Sequence, residues 1–269
     1  MIFDGKQHAA DIATALACEV RVLGRTPSLG VCMVGEDEVS RRYVSIKKKI
    51  AENIGIKISV DYFPESATTE EIVGKVSQQS KTQDGYIVQL PLPPHIDSRE
   101  VLNAVPEEKD VDMLSRASMD AYYKNETELL PPVVGAFAEI LARSSVNIGG
   151  MRVAIVGYGA LVGKPAEHWF KKQEAEVRVV RRNDDLKTAT RGADIVILGA
   201  GSPGILTPDM VKEGVIVLDA GTSESHGTLK GDADPAVAQK ACLFTPVPGG
   251  VGPLTVTALF KNVLALIAR

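Results

Sequence analysis

Gly157-Tyr-Gly-Ala-Leu-Val-Gly163 follows directly on the apolar run 151–156 and opens a segment, 163–173, with helical periodicity. Glycines at a strand-to-helix junction permit a tight turn and let backbone N–H groups approach a pyrophosphate at the helix N-terminus. That context demands a parallel α/β sheet around the turn and points to a dinucleotide as ligand. The spacing is G-x-G-x-x-x-G, one residue longer than the usual fingerprint, so the loop is expected to stand further from the phosphates or to hold them through water. A tight turn without ligand is the competing reading.

The next strand, 176–180, is followed by Val180-Arg-Arg-Asn183, where an Asp or Glu would serve a ribose 2′-hydroxyl. Arg181 and Arg182 suit the 2′-phosphate of NADP instead, because a guanidinium matches phosphate oxygens in a bidentate fashion. A solvated loop is the alternative. Gly199-Ala-Gly-Ser-Pro-Gly204, after the strand 195–198, forms a second small-residue turn on the same carboxyl edge, suited to a flat nicotinamide. Gly157, Tyr158, Gly159, Val162, Gly163, Arg181, Arg182, Gly199, Ala200 and Gly201 are therefore the candidate cofactor-binding residues.

Strand and helix patterns also alternate in the first half. Helical spacing over 8–23 precedes strands at 28–34, 57–63 and 85–90, with helices at 38–53, closed by Gly55, and at 68–79, capped by Thr69. Succession of this kind implies a parallel sheet with right-handed crossovers. A Pro131-Pro132 break, a helix to about 144 and a second α/β half follow, with strands at 151–156, 176–180, 195–198 and 215–219 and a short helix at 187–191. An amphipathic helix, 255–268, is expected to return to the first domain. The expected fold is α/β in two domains: residues 1–136 with 254–269, and a Rossmann-like part over 137–253.

The 269 residues carry 30 Lys+Arg against 34 Asp+Glu, so no broad attraction to nucleic acid or anionic membrane is expected. No apolar run reaches the roughly 20 residues that span a bilayer, and a small-molecule partner becomes the default. Cys18, Cys32 and Cys242 read as buried free thiols of a reducing, cytoplasmic compartment. The scattered histidines, His8, His95, His168 and His226, do not suggest a metal site.

Tyr43 and Lys47 stand four residues apart on the helix 38–53, so a phenol and an amine project from one face; a solvated Lys47-Lys-Lys49 surface is the alternative. Gln89-Leu-Pro-Leu-Pro93 ends a buried strand with an amide stiffened by two prolines at the edge where α/β ligands bind. Glu108-Lys-Asp-Val-Asp112 sets two aspartates around a valine, for which turn chemistry is the simpler reading. Thr245-Pro-Val-Pro-Gly-Gly-Val-Gly-Pro-Leu-Thr255, uncharged and stiff, suits close approach of backbone to a flat ligand.

From Asp4-Gly-Lys6 to the last helix, these segments resemble the bifunctional methylenetetrahydrofolate dehydrogenase/methenyltetrahydrofolate cyclohydrolase family. The most specific elements are Tyr43-x-x-x-Lys47, Val88-Gln-Leu-Pro-Leu-Pro93, Lys109-Asp-Val-Asp112, Gly231-Asp232 and Thr245-Pro-Val-Pro-Gly-Gly-Val-Gly-Pro253. The resemblance implies a folate cleft between two domains, NADP as cofactor, and a homodimer built through the cofactor domain. It implies Lys47 as central catalytic residue, Gln89 bonded to it, Tyr43 stacked on the folate, Asp112 on the pterin, and Pro248, Gly249 and Gly252 bordering the substrate. The chain departs from the family at Gly157-Tyr-Gly159, in place of G-x-S, at Met113, in place of glycine, and at Pro132, in place of threonine. The implied activity is oxidation of 5,10-methylenetetrahydrofolate and hydrolysis of the methenyl product. Its rivals are a monofunctional dehydrogenase acting on another small carrier or a cyclic hydroxy acid, and a non-catalytic NADP-binding regulator.

Overall fold

The computed structural model describes residues 1–225 and 228–269, which leaves His226 outside. The chain divides into two compact units, residues 10–132 with 256–269, and residues 1–9 with 133–255.

In the unit built on 10–132, α1 (Gly5–Val22) leads into β1 (Ser28–Val34), α2 (Glu38–Ile54), β2 (Lys57–Phe63), α3 (Thr69–Gln79) and β3 (Gly85–Val88). The strands pair in the order β2-β1-β3, all parallel, and β1 is buried from Leu29 onward. Such burial on both faces is what an unbroken apolar run requires. Asp37 caps α2 by accepting from the Ser40 N–H, and Gly55, at φ +90°, closes it. The cap of α3 is Thr68, not Thr69: Thr68 and Glu71 form a reciprocal capping box, while the Thr69 hydroxyl accepts from the Asp97 N–H. β3 stops at Val88 rather than 90. The Gln89 N–H still reaches the Cys32 carbonyl at 2.9 Å, but Pro91 and Pro93 have no N–H to continue a ladder. A β-carbon at Gly30 would lie 2.3 Å from the Tyr86 ring, so only glycine lets that buried tyrosine cross the sheet and donate to Asp61. Two short helices that no periodicity announces, α4 (Ser98–Asn103) and α5 (Arg116–Tyr123), follow β3.

After α6 (Pro132–Arg143) come β4 (Arg152–Val156), α7 (Gly163–Lys172), β5 (Glu176–Val180), α8 (Leu186–Thr190), β6 (Ile195–Leu198) and β7 (Ile216–Asp219). The antiparallel pair β8 (Ser223–Ser225) and β9 (Thr228–Lys230), β10 (Leu243–Phe244) and α9 (Val251–Ile267) complete the chain. The larger sheet runs β10-β7-β6-β4-β5, all parallel. Residues 1–9, counted with the first half on sequence, pair here with β10: the Phe3 N–H donates to the Phe244 carbonyl at 2.8 Å. α9 begins four residues earlier than expected, because Pro253 falls in its first turn, where a missing N–H costs no helical bond. Within the unit that holds 256–269, the Asn262 amide donates to the Val111 and Leu130 carbonyls, each at 2.9 Å.

Only Cys32 is buried; Cys18 and Cys242 are exposed free thiols, contrary to the sequence expectation. The buried side of α1 is set by Ile12, Leu16 and Val20, and position 18 lies off that stripe. Among the described residues no helix is long and apolar enough to cross a membrane.

Candidate active site

Lys47 lies one turn beyond Tyr43 on α2, and both are half-buried. The Lys47 ammonium donates to Gln89 Oε1 at 2.9 Å. Gln89, just past β3 and only 8% exposed, spends its own amide N–H on the Leu90 carbonyl at 2.7 Å, which fixes its oxygen toward the lysine. Burial lowers the Lys47 pKa from its ordinary value, and the nearby Asp112 carboxylate opposes that drop. Burial likewise raises Asp112, to about 6, with Lys47 opposing and Asp110 adding to the rise. Lys47, Gln89 and Asp112 thus form one electrostatically coupled group, in which amine and carboxyl are both shifted toward neutrality.

The two aspartates of the 108–112 segment divide their work. Asp110, 3% exposed, accepts the Ser115 N–H at 2.7 Å at the start of α5, which is turn chemistry. Asp112 faces the lysine's charge instead. Met113, where glycine is usual, holds φ +58°, a left-handed conformation that costs a side-chain-bearing residue about 1–2 kcal/mol. Its side chain, 1% exposed, packs with Tyr122 and Leu129. Burial of a methionine is worth about 1.5–3 kcal/mol, enough to offset the strain and keep the turn that carries Asp112.

The other unit carries the glycine turns. Gly157 has φ +92°, and a β-carbon on it would meet the Gly199 carbonyl oxygen at 2.6 Å. One on Gly163 would stand 2.1 Å from the Gly157 carbonyl, so the first turn of α7 closes on the strand end only with glycine there. Val162 packs against Gly199, whereas nothing lies within 4 Å of a β-carbon at Gly159, which leaves open space over the turn. A helix N-terminus beneath a bare glycine turn is what a pyrophosphate needs. Arg181 and Arg182 are exposed just past β5, and the Asp184 carboxylate accepts the Arg181 N–H at 2.7 Å. Tyr158 meets Arg181, its ring centroid 5.2 Å from the guanidinium carbon. The residues present therefore fit a dinucleotide that carries an extra phosphate.

Asp232 holds the second turn. Its carboxylate accepts the N–H groups of Ala200, Gly201 and Ser202 at 2.7, 3.0 and 2.7 Å, from a position with no solvent exposure. The sequence marks Gly231-Asp232 only as a motif without a role. An acidic residue directly after glycine, with Lys230 and Asp234 close by, is the only signal the sequence offers. Beside it, burial raises Asp219 to about 6 despite N–H donors from Ala233 and Gly221.

Pro248 follows a cis peptide bond, and Gly249, at φ +108°, continues the loop. Gly252 lies in the first turn of α9 rather than in that loop, a correction to the sequence reading. A β-carbon on Gly5 would approach the Gly250 carbonyl to 1.9 Å, so the start of α1 closes directly on this segment. These residues belong to the unit of 133–255, and Lys47, Gln89 and Asp112 to that of 10–132.

Residues 3–112 match the catalytic domain, and residues 131–269 the NAD(P)-binding domain, of tetrahydrofolate dehydrogenase/cyclohydrolase. A bifunctional protein FolD of Halothermothrix orenii is 41% identical over 97% of this chain and 95% of that protein. The crystal structure of the bifunctional FolD dehydrogenase/cyclohydrolase of Campylobacter jejuni superimposes with a TM-score of 0.95 at 32% identity, covering 100% of this chain and 98% of that one. The Trypanosoma brucei enzyme, complexed with NADP cofactor and inhibitor, gives 0.94 at 34% identity over 100% and 97%.

Proposed function

The chain belongs to the tetrahydrofolate dehydrogenase/cyclohydrolase family, and we propose that it oxidises 5,10-methylenetetrahydrofolate with NADP to the 5,10-methenyl form and hydrolyses that to 10-formyltetrahydrofolate. The observation that carries this reading is the Lys47 ammonium on Gln89 Oε1 at 2.9 Å, half-buried and coupled to Asp112.

When bound, NADP supplies the hydride acceptor. The folate nitrogens stabilise the cation left at the methylene carbon, so this step asks the protein chiefly for positioning. Tyr43 stacks on the folate and Asp112 holds the pterin. Pro248, Gly249 and Gly252 border the substrate. Gly157, Tyr158, Gly159, Val162 and Gly163 receive the pyrophosphate side of the cofactor, Gly199, Ala200 and Gly201 its nicotinamide side, and Arg181 and Arg182 the 2′-phosphate.

Hydrolysis requires a proton to move. As water adds to the methenyl carbon, neutral Lys47 takes one of its protons and gives it to the ring nitrogen as the C–N bond breaks, and the remaining hydroxyl proton leaves to solvent as the formyl C=O forms. An amine whose pKa burial has lowered gives up and takes back a proton more readily than a solvated lysine, and Gln89 Oε1 aims it in its charged form. Residues 1–136 with 254–269 are the folate-handling part in this reading, and 137–253 the cofactor part. The reading extends to a homodimer in the cytoplasm, in keeping with three unbridged cysteines; light scattering tests the dimer. Purified protein given methylenetetrahydrofolate and NADP should produce reduced cofactor and 10-formyltetrahydrofolate. Absence of cofactor reduction overturns the dehydrogenase, and accumulation of the methenyl compound overturns the hydrolase.

A further inference from the structure

Among the described residues Arg181 makes no ion pair at contact distance and no side-chain hydrogen bond, although its charge attracts the Glu167 carboxylate. What it has is an aromatic face: the guanidinium carbon stands 5.2 Å from the centroid of the Tyr158 ring, and the Lys164 ammonium 5.9 Å from the same centroid. Tyr158 is itself anchored, since its hydroxyl donates to Glu167, one turn into α7, and Glu167 also accepts from Lys171 at 2.8 Å. Burial works to raise the Glu167 pKa, but those two hydrogen bonds hold it below its ordinary value, while the bond to Glu167 keeps the Tyr158 phenol protonated. The anchor therefore persists through neutral pH. A guanidinium held near an aromatic ring by cation–π attraction spends no N–H donor on that contact, and those donors are what a phosphate takes in pairs.

We infer that Tyr158 is a specificity-determining residue for NADP: its ring, braced by Glu167, holds the Arg181 guanidinium in place for the 2′-phosphate before the cofactor binds. The inference rests on the reading of Arg181 as a ligand of that phosphate. Tyr158 acts here as a positioning residue, reaching the phosphate through Arg181. The phosphate contact is made from the end of β5, and the turn contributes the surface that orders it.

Calorimetric titration with adenosine 2′,5′-bisphosphate and with adenosine 5′-monophosphate separates the phosphate from the rest of the nucleotide and needs no turnover. Without the ring, Arg181 must be ordered on binding, which weakens affinity about two- to tenfold. Tyr158→Leu is accordingly expected to weaken the bisphosphate by about that factor more than it weakens the monophosphate. Tyr158→Phe, which keeps the ring face, is expected to retain most of the preference. Equal weakening of both nucleotides by Tyr158→Leu, or none, overturns the inference. Arg181→Leu distinguishes the two levels. Loss of the bisphosphate preference there, with none in Tyr158→Leu, removes only the role of the ring; an unchanged preference in Arg181→Leu removes the underlying reading of the phosphate site as well.

Discussion

Asp112→Asn exchanges a carboxyl group whose ionisation the fold opposes for an amide of the same shape. Burial, set against the attraction of Lys47, raises Asp112 from an ordinary 3.8 to about 6. At 1.36 kcal/mol for each tenfold change in proton affinity, that displacement amounts to roughly 3 kcal/mol between the two states of the group. The sign follows from the direction. A carboxyl with a raised folded-state pKa contributes stability that is fully present below the unfolded value and is lost as pH rises through about 6. The natural protein should therefore lose stability across this window, whereas the Asp112→Asn variant should not show that loss. At neutral pH the variant is expected to be more stable, by up to about 3 kcal/mol, and the advantage should vanish below about pH 4. Its folate turnover should fall, because the amide cannot present a carboxylate to the pterin. Urea unfolding followed by far-ultraviolet circular dichroism, at neutral and at acid pH, measures the first effect. A variant equally or less stable than the natural protein at neutral pH refutes the reasoning, since Asp112 would then be held by contacts that outweigh its burial.

Arg182→Ala should raise the KM for NADP by about tenfold or more, the loss of one charge-assisted hydrogen bond, and move that for NAD much less; equal effects on the two dinucleotides in steady-state kinetics would sink the assignment to the 2′-phosphate. Met113→Gly relieves about 1–2 kcal/mol of left-handed strain but empties a buried methionine site, which costs about 2–5 kcal/mol. The net expectation is a loss of about 1–3 kcal/mol on urea unfolding; a gain in stability would contradict the balance struck between Met113 packing and its backbone.

The parts that the sequence makes legible are those whose cause is local. β1, β2, β5 and β6 have the limits read from the sequence: β1 and β6 because burial on both faces leaves an unbroken apolar run, β2 and β5 because apolar and polar residues alternate along a strand with one more exposed face. Where two local signals compete, the pattern misleads. Adjacent hydroxyls at Thr68 and Thr69 are equivalent on paper, and only the reciprocal bond with Glu71 selects Thr68. Gly252 and Pro253 look like loop residues but fit the open first turn of α9. Tertiary facts lie out of reach. Lys47 meets Gln89 across 42 residues of sequence, Asp110 and Asp112 differ only in what the fold sets beside them, and Tyr158 gives no sign of its partner past the end of β5.

Lys47→Met tests the central claim most directly, because it removes the one group assigned to carry the proton while keeping an unbranched side chain of similar length. Hydrolysis of 5,10-methenyltetrahydrofolate is followed as loss of the methenyl absorbance, in parallel with folate binding by fluorescence quenching. The account predicts that enzymatic hydrolysis falls to the uncatalysed rate while folate still binds. Hydrolysis at the natural rate in a variant that binds folate would contradict it.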